Sequence, residues 1–238
     1  MNLLRSALFN LFFYGATFVY GSVGVPVRLF APQYALAVAQ AWARACLAGA
    51  RIIAGIHVEV SGRENLPDGP ALIASQHQSA FDTLVWLVIV PRVSYVYKAE
   101  LARIPLFGPL LKPAGQIELD RGASFAAIKS LLRGADQAVA DGRQIVIFPE
   151  GTRVIPGARV APLPGVAALA SRTGLPVTPV STDSGRLWGR RAFRKRPGTI
   201  HIMILPPLSS SQGQAALLAA LRTAWDTASG VVPVDNFV

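Results

Sequence analysis

The sequence predicts an α/β fold: a mixed, partly parallel sheet of about seven strands that is flanked by helices and preceded by an N-terminal helical motif. Short apolar runs alternate with helical stretches beyond residue 55, whereas no charge occurs between Ser6 and Val27. With 238 residues the chain can bury one sizeable core and needs no second. We therefore divide it into a helical segment that associates with a membrane, residues 1–54, and an α/β domain, residues 55–238.

The uncharged N-terminal run is long enough to cross a bilayer, for which about 20 apolar residues suffice. Three glycines and Pro26 dilute it, so a helix that lies in the membrane interface is an equal alternative. Arg5 fits the basic start of a signal peptide, but the apolar run is longer than the usual h-region of about 7–15 residues. We favour a retained segment and leave open whether residues 6–27 span the membrane or lie on it.

The remaining elements follow from hydrophobic periodicity. Helices are predicted at 33–54, 81–90, 123–141 and 213–229, and strands at 56–61, 71–75, 93–98, 115–119, 144–148, 176–181 and 199–205. The clearest helix is 123–141, in which Leu131 and Ala135 lie on an apolar face and Gly142 ends the pattern. Strands that alternate with helices indicate a sheet that is at least partly parallel.

The composition points to an anionic partner. The net charge is +10 and the pI about 10.6, while 52% of the residues are hydrophobic. This combination favours a lipid headgroup surface or a phosphorylated substrate over nucleic acid. Cys46 is the one cysteine, which excludes an internal disulfide and a cysteine-based zinc cluster, and we interpret it as a packing residue. We expect no metal and no cofactor.

The stretch "SQHQSAFDT" sets His77 five positions before Asp82. On one continuous helix the two would point about 140° apart. If "ALIAS" is a strand and "FDTLVWLVIV" a helix, the loop between them can bring the two side chains together. An aspartate that fixes the tautomer of a histidine leaves the other ring nitrogen to act as a base. A histidine with a purely structural role is the alternative, and Ser79 lacks the setting of a nucleophile.

Polar and charged side chains follow four predicted strands, at the ends where α/β sheets bind ligands. Lys98 ends one strand, and Arg121 follows another in "GQIELDRG". The loop "FPEGTR" contains Glu150, Gly151, Thr152 and Arg153. Glycine allows a close backbone approach to a ligand, and a guanidinium group suits a phosphate. Each loop alone is an ordinary turn, and their coincidence favours a binding site.

Basic residues are concentrated in "RLWGRRAFRKRPG", residues 186–198, around Trp188 and Phe193. Such a segment can dock on anionic lipid or bind single-stranded nucleic acid, and a solvated loop is the neutral alternative. The apolar N-terminus favours lipid. His57 and His201 fall within strand patterns without a carboxylate at a telling spacing, so we interpret both as structural.

Four blocks in this order resemble the glycerolipid acyltransferase family, in particular its bacterial 1-acyl-sn-glycerol-3-phosphate acyltransferases. They are "HQSAFD" (77–82), "GQIELDR" (115–121), "FPEGTR" (148–153) and "LPVTPV" (175–180), and the resemblance covers roughly residues 55–207. It implies that His77 is a general base oriented by Asp82. It further implies a phosphate site formed by Lys98, Arg121 and Arg153, and a loop supported by Glu150, Gly151 and Thr152.

The resemblance also implies the reaction. The acyl group of acyl-CoA or acyl-carrier protein would pass to the hydroxyl of 1-acyl-sn-glycerol-3-phosphate (lysophosphatidic acid) and give phosphatidic acid. We expect this at the inner membrane, with the site facing the cytoplasm. Gln76, Val154 and Leu163 depart from the residues common in the family, so the acyl-donor contacts are the least firmly implied. Acylation of another lyso-lipid, such as a lyso-ornithine lipid, and a non-catalytic anionic-lipid-binding module are the alternatives.

Overall fold

The computed structural model describes residues 2–119 and 125–231. Two helices open the chain: α1 (Asn2–Phe30) and α2 (Ala35–Gly49), joined by a 3₁₀ turn at Pro32–Tyr34. A π-helical turn, Ala50–Ala54, continues α2 to Gly55, whose φ of 71° ends the helix before the first strand. Among the described residues, Leu3–Phe30 and Pro32–Ala54 are long and apolar enough to cross a membrane.

In the described part of the chain, seven strands form one mixed sheet: β1 (Ile56–Ser61), β2 (Ala71–Ser75), β3 (Val93–Lys98), β4 (Ile117–Leu119), β5 (Gln144–Ile147), β6 (Val177–Thr182) and β7 (Gly198–Ile204). Their order is β1-β7-β6-β2-β5-β3-β4. The strands from β2 to β6 are mutually parallel, while β7 runs antiparallel to β6 and parallel to β1. The predicted fold class is confirmed. The parallel strands end at one edge of the sheet, where the polar loops predicted from the sequence follow.

Helices cover both faces of the sheet. The elements after the N-terminal pair are α3 (Phe81–Ile89), α4 (Gly108–Leu111), α5 (Phe125–Ala140), α6 (Gly165–Thr173) and α7 (Gln214–Val231). All of β2 is buried, and its side chains alternate between two cores. Ile73 packs in the core that contains α3 and the N-terminal helices, and Leu72 packs in the core that contains α6 and α7. This double burial explains the continuous apolar run of β2.

The N-terminal helices share a core with the sheet. Phe9 of α1 and Cys46 of α2 are fully buried in the same cluster as Ile73 and Trp188, so Cys46 is a packing residue as predicted. Large apolar side chains also point outward from this helix pair, for example Leu11 and Phe30, which are 74% and 84% exposed. These helices therefore have one face against the sheet and another face without cover from the described chain.

Candidate active site

The loop between β2 and α3 brings His77 and Asp82 together. Nδ1 of His77 lies 3.1 Å from Oδ2 of Asp82, and the two side chains are 13% and 2% exposed. The strand, loop and helix that the sequence predicts here place His77 just after β2 and Asp82 in the first turn of α3. With Nδ1 engaged by the carboxylate, Nε2 is the ring nitrogen left to exchange a proton with a substrate.

The carboxylate of Asp82 is held by the loop itself. Its Oδ2 accepts hydrogen bonds from the backbone N–H groups of Gln78 at 2.7 Å and Ser79 at 2.8 Å. The hydroxyl of Ser79 accepts from the N–H of Phe81 at 3.1 Å, and Ser79 is fully buried. Ser79 therefore shapes the start of α3, which agrees with the prediction that it is not a nucleophile.

The loop after β5 clamps the backbone of His77 from the other side. The N–H of His77 donates to Oε2 of Glu150 at 2.5 Å, and its carbonyl accepts from the N–H of Val154 at 2.7 Å. Gly151 takes a φ of 69° in the turn that returns the chain, a conformation that favours glycine. Burial, together with the negative charge of Asp82, raises the pKa of Glu150 to about 8, although the hydrogen bond from His77 opposes this.

Two glutamines beside His77 fix the loop to β6 and to the turn that follows it, and sequence reasoning assigned neither a role. Oε1 of Gln76 accepts from the hydroxyl of Ser181 at 2.8 Å and from the N–H of Thr182 at 3.2 Å. Oε1 of Gln78 accepts from the N–H of Gly185 at 3.1 Å. Gln76, noted as a departure from the family pattern, thus has a structural role. The sequence feature that could have indicated these contacts is the pair of amide side chains, Gln76 and Gln78, on either side of His77.

An aromatic stack supports the imidazole and was also missed. The rings of His77 and Phe148 are 4.2 Å apart between centroids and inclined by 21°. Tyr95 continues the stack at 6.1 Å from Phe148, and its hydroxyl donates to the carbonyl of Thr83 at 2.8 Å. Burial raises the pKa of Tyr95 well above its ordinary value, so its hydroxyl keeps its proton. Phe148 is the first residue of the motif "FPEGTR", but nothing in the sequence pattern indicated that its ring stacks on His77.

The predicted phosphate ligands follow neighbouring strands. Lys98 is the last residue of β3 and is exposed, and Arg153 is half-buried in the loop after β5. Burial and the nearby charges of Arg190 and Arg191 lower the pKa of Arg153, whereas Asp82 raises it. Arg121 lies outside the described residues, so its part in the site stays a prediction.

The basic segment after β6 differs from the prediction. Trp188 is buried and packs edge-on against Phe9 with centroids 5.0 Å apart, so the expectation that it joins an exposed lipid-docking surface is wrong. Lys195 is buried as well, and its Nζ donates to Oδ1 of Asn10 and to the carbonyls of Ala192 and Phe193. The physical reason is that α1 passes over this segment and provides both an apolar surface and polar partners.

His201 has a carboxylate partner that sequence spacing did not reveal. Its Nδ1 lies 3.0 Å from Oδ2 of Asp183, and its N–H donates to Oδ1 of the same residue at 2.8 Å. Asp183 directly follows β6, so this pair joins β7 to the turn in which the N–H of Gly185 donates to Gln78. Within residues 2–119 and 125–231, no three His, Cys, Asp or Glu side chains come together in a way that could hold a metal ion.

Comparison with known proteins identifies the family. Residues 57–183 match the family model described as Acyltransferase. The chain is 34% identical to the 1-acyl-sn-glycerol-3-phosphate acyltransferase of Pseudomonas aeruginosa, covering 99% of this chain and 94% of that protein. It is 32% identical to the protein of the same name from Limnanthes alba, covering 66% of this chain and 56% of the plant protein. The crystal structure of the 1-acyl-sn-glycerophosphate acyltransferase PlsC from Thermotoga maritima shares the fold, with a TM-score of 0.78, 23% identity and 100% of both chains covered.

The chain therefore belongs to the acyltransferase family. The similarity to the Pseudomonas protein extends over nearly the whole length, beyond the four motifs that first indicated it, and confirms the predicted resemblance to the bacterial 1-acyl-sn-glycerol-3-phosphate acyltransferases. The similarity to PlsC shows a common fold.

Proposed function

We propose that this protein transfers an acyl group from a thioester donor to the free hydroxyl of 1-acyl-sn-glycerol-3-phosphate, with His77 as the general base. The single observation that carries this proposal is the contact of 3.1 Å between His77 and Asp82 at the carboxyl edge of the sheet, in a chain whose relatives are named for this reaction. A lipid-binding module would have no need of a histidine oriented in this way.

The proposed reaction is a direct transfer without an acyl-enzyme. Nε2 of His77 takes the proton of the acceptor hydroxyl as its oxygen attacks the thioester carbonyl. The tetrahedral intermediate expels the thiolate, which takes the proton from the imidazolium and leaves as a thiol. One C–S bond is thereby exchanged for one C–O bond. Asp82 holds the ring tautomer and stabilises the imidazolium. General-base help supplies roughly 10²–10⁴-fold, so positioning of the two substrates must supply the rest.

The acceptor is proposed to bind through its phosphate. Lys98, with Arg121 by sequence, provides cations on the side of His77 that faces β5, β3 and β4, and Arg153 adds another from the loop that contacts the backbone of His77. A phosphate monoester suits a guanidinium fork and an ammonium group. Fixing the phosphate fixes the hydroxyl beside Nε2, so this contact contributes to turnover as well as to affinity.

We further propose that the protein works on a membrane, at the inner membrane with its site toward the cytoplasm. The exposed apolar side chains of α1 and α2 and the net charge of +10 support contact with an anionic bilayer surface. The donor is acyl-CoA or acyl-carrier protein, both of which present the acyl group as a thioester.

The test is an assay of thiol release with purified full-length protein in lipid vesicles. Acyl-CoA and acyl-carrier protein are each offered with lysophosphatidic acid and with a lyso-ornithine lipid as acceptors. We expect release that depends on lysophosphatidic acid, together with the appearance of phosphatidic acid. Activity with the lyso-ornithine lipid alone would identify that lipid as the acceptor in place of lysophosphatidic acid. Thiol release without any acceptor would indicate a thioesterase.

A further inference from the structure

A cluster of three guanidinium groups lies beside the catalytic loop. Nη1 of Arg190 donates to the carbonyl oxygen of Arg153 at 3.3 Å, and the charges of Arg190 and Arg191 both lower the pKa of Arg153. Val154, the next residue, donates to the carbonyl of His77. Positive charge is thus concentrated one residue away from the backbone that holds the base.

The segment that carries Arg190 and Arg191 is fixed in place. Trp188 is buried before it, and Lys195 is buried after it with three oxygen acceptors. Arg191 itself has a φ of 55°, which non-glycine residues rarely adopt. A strained backbone persists only when its surroundings impose it, and such positions concentrate at ligand sites. The two exposed guanidinium groups are therefore presented by a rigid frame.

The charge of Asp82 acts on Arg153, while none of the described ion pairs involves Arg190 or Arg191. The ion pairs Arg143–Asp141, Arg159–Asp226 and Arg172–Asp136 involve no member of this cluster. Neighbouring guanidinium groups repel one another, and a bound anion would offset this repulsion. The exposed side chains of Arg190 and Arg191 are therefore accessible to an anionic ligand.

Sheet order places Arg190 and Arg191 on the opposite side of His77 from Lys98, whereas Arg153 belongs to the loop that contacts His77 itself. β2, which leads to His77, has β6 as one neighbour and β5 as the other, and β3 lies beyond β5. Lys98 ends β3, roughly 10 Å from β2 at the usual spacing between strands. Arg190 and Arg191 follow β6. Cations therefore flank the base on both sides, and a single phosphate monoester of charge about −2 does not require both sets.

We propose that Arg190 and Arg191 bind the phosphate groups on the pantetheine arm of the acyl donor, leaving the β3 side to the phosphate of the acceptor. The inference rests on the proposed function, because it takes the donor to be a pantetheine thioester. CoA carries a diphosphate and a 3′-phosphate beside its pantetheine, and a carrier protein holds the same arm through a phosphodiester. The shared chemistry is a phosphate ester at the far end of a flexible thioester arm.

The test measures donor binding without transfer. Full-length protein in lipid nanodiscs is titrated calorimetrically with CoA, with pantetheine, which lacks phosphate, and with holo acyl-carrier protein. The variant Arg190→Gln/Arg191→Gln is compared with the control Arg194→Gln/Arg196→Gln, which removes two exposed charges from the same segment. We expect the wild type and the control to bind at least one phosphate-bearing donor better than pantetheine, and the Arg190/Arg191 variant to lose roughly tenfold or more of that affinity.

Several outcomes would overturn the inference. They are wild-type protein that binds neither donor better than pantetheine, equal losses in both variants, and an Arg190/Arg191 variant that binds both donors normally. A variant with an unchanged KM for the donor and a raised KM for lysophosphatidic acid would assign the cluster to the acceptor instead. Failure of the proposed function is separate: wild-type protein that transfers nothing to lysophosphatidic acid leaves the CoA and pantetheine comparison intact.

Discussion

The imidazole of His77 lies nearly parallel to the ring of Phe148, with 4.2 Å between centroids. The stack restricts the ring to one plane, and the contact with Asp82 at 3.1 Å sets its rotation within that plane. Two independent contacts thus direct Nε2. Phe148 comes from the loop after β5 and Asp82 from α3, so the orientation of the base depends on the packing of two elements against β2.

Phe148→Leu should lower kcat by roughly three- to tenfold, because an aromatic pair contributes about 0.5–1.5 kcal/mol beyond its buried area. The KM for the acceptor should change little, since the phosphate ligands are elsewhere. Steady-state rates of thiol release measure both parameters. Phe193→Leu is the matched control, because Phe193 is exposed and lies outside the stack. An unchanged kcat in Phe148→Leu would show that the stack does not position the base.

His77→Ala should reduce kcat by roughly 10²–10⁴-fold, the usual worth of a general base. The backbone hydrogen bonds of residue 77 do not involve the ring, so the variant should still fold, with a melting temperature lowered by the lost contacts to Phe148 and Asp82. His57→Ala is the control, because His57 is an exposed histidine on β1. Near-normal turnover in His77→Ala would remove the proposed base.

Asp82→Asn should lower kcat by roughly 10²-fold or more while the loop keeps its shape. The amide oxygen can still accept from the N–H groups of Gln78 and Ser79, as the carboxylate does at 2.7 and 2.8 Å. It no longer stabilises the imidazolium. Rates and thermal unfolding, measured together, separate the two effects. A large loss of melting temperature with proportionate loss of active protein would mean that Asp82 acts on folding alone.

Glu150→Gln should make stability less dependent on pH. The pKa of Glu150 is raised from 4.5 to about 8, so the folded protein holds a proton that the unfolded chain has released between these values. The stability contributed by this group is therefore present below pH 4.5 and is lost as the pH rises through about 8. The glutamine oxygen can still accept from the N–H of His77. Melting temperatures at about pH 5 and about pH 9 should converge in the variant relative to the wild type.

The same variant tests the role of Glu150 in turnover. Because the hydrogen bond to His77 can persist, kcat should remain within a few-fold of the wild-type value. A loss as large as that of His77→Ala would mean that Glu150 exchanges a proton in the reaction, which would contradict a supporting role.

Leu11→Ser combined with Phe30→Ser should weaken binding to lipid vesicles while the melting temperature changes little. Both side chains are largely exposed on α1. Each buried large apolar side chain contributes about 1.5–3 kcal/mol, so the pair should shift vesicle partitioning by tenfold or more if it enters the bilayer. Val58→Ser with Ile128→Ser, exposed on the α/β domain, is the control. Equal sedimentation of all proteins with vesicles would place the membrane contact elsewhere.

Local sequence patterns were sufficient for most of the sheet. The bounds of β1, β2 and β3 agree with the prediction, because each is a short run of strand-forming residues between turn residues. The strand β4 begins at Ile117 instead of residue 115. Gly115 has a φ of 76°, and the side chain of Gln116 takes the place of main-chain pairing by accepting from the N–H of Tyr95 at 2.7 Å. Hydrophobic periodicity does not reveal a position at which a side chain, and not the backbone, accepts the hydrogen bond of a neighbouring strand.

The candidate site could be predicted only where its contacts are local. His77 and Asp82 are five residues apart, so one loop and the start of one helix determine their meeting. Gln76 and Ser181 are 105 residues apart and meet because β6 neighbours β2. Strand order of this kind follows from the whole fold. The burial of Trp188 against Phe9 was likewise hidden, since it depends on where α1 crosses the sheet.

The position of Phe9, sealed against Trp188 with no exposed surface, bears on how the protein reaches its substrate. A helix packed into the core that it shares with the sheet cannot move independently of the α/β domain. It therefore cannot act as a flexible tether. The depth at which α1 lies in the bilayer would therefore fix the distance between Nε2 of His77 and the acyl chains of the lipids. The lyso-lipid hydroxyl would then have to rise to that level to meet the base.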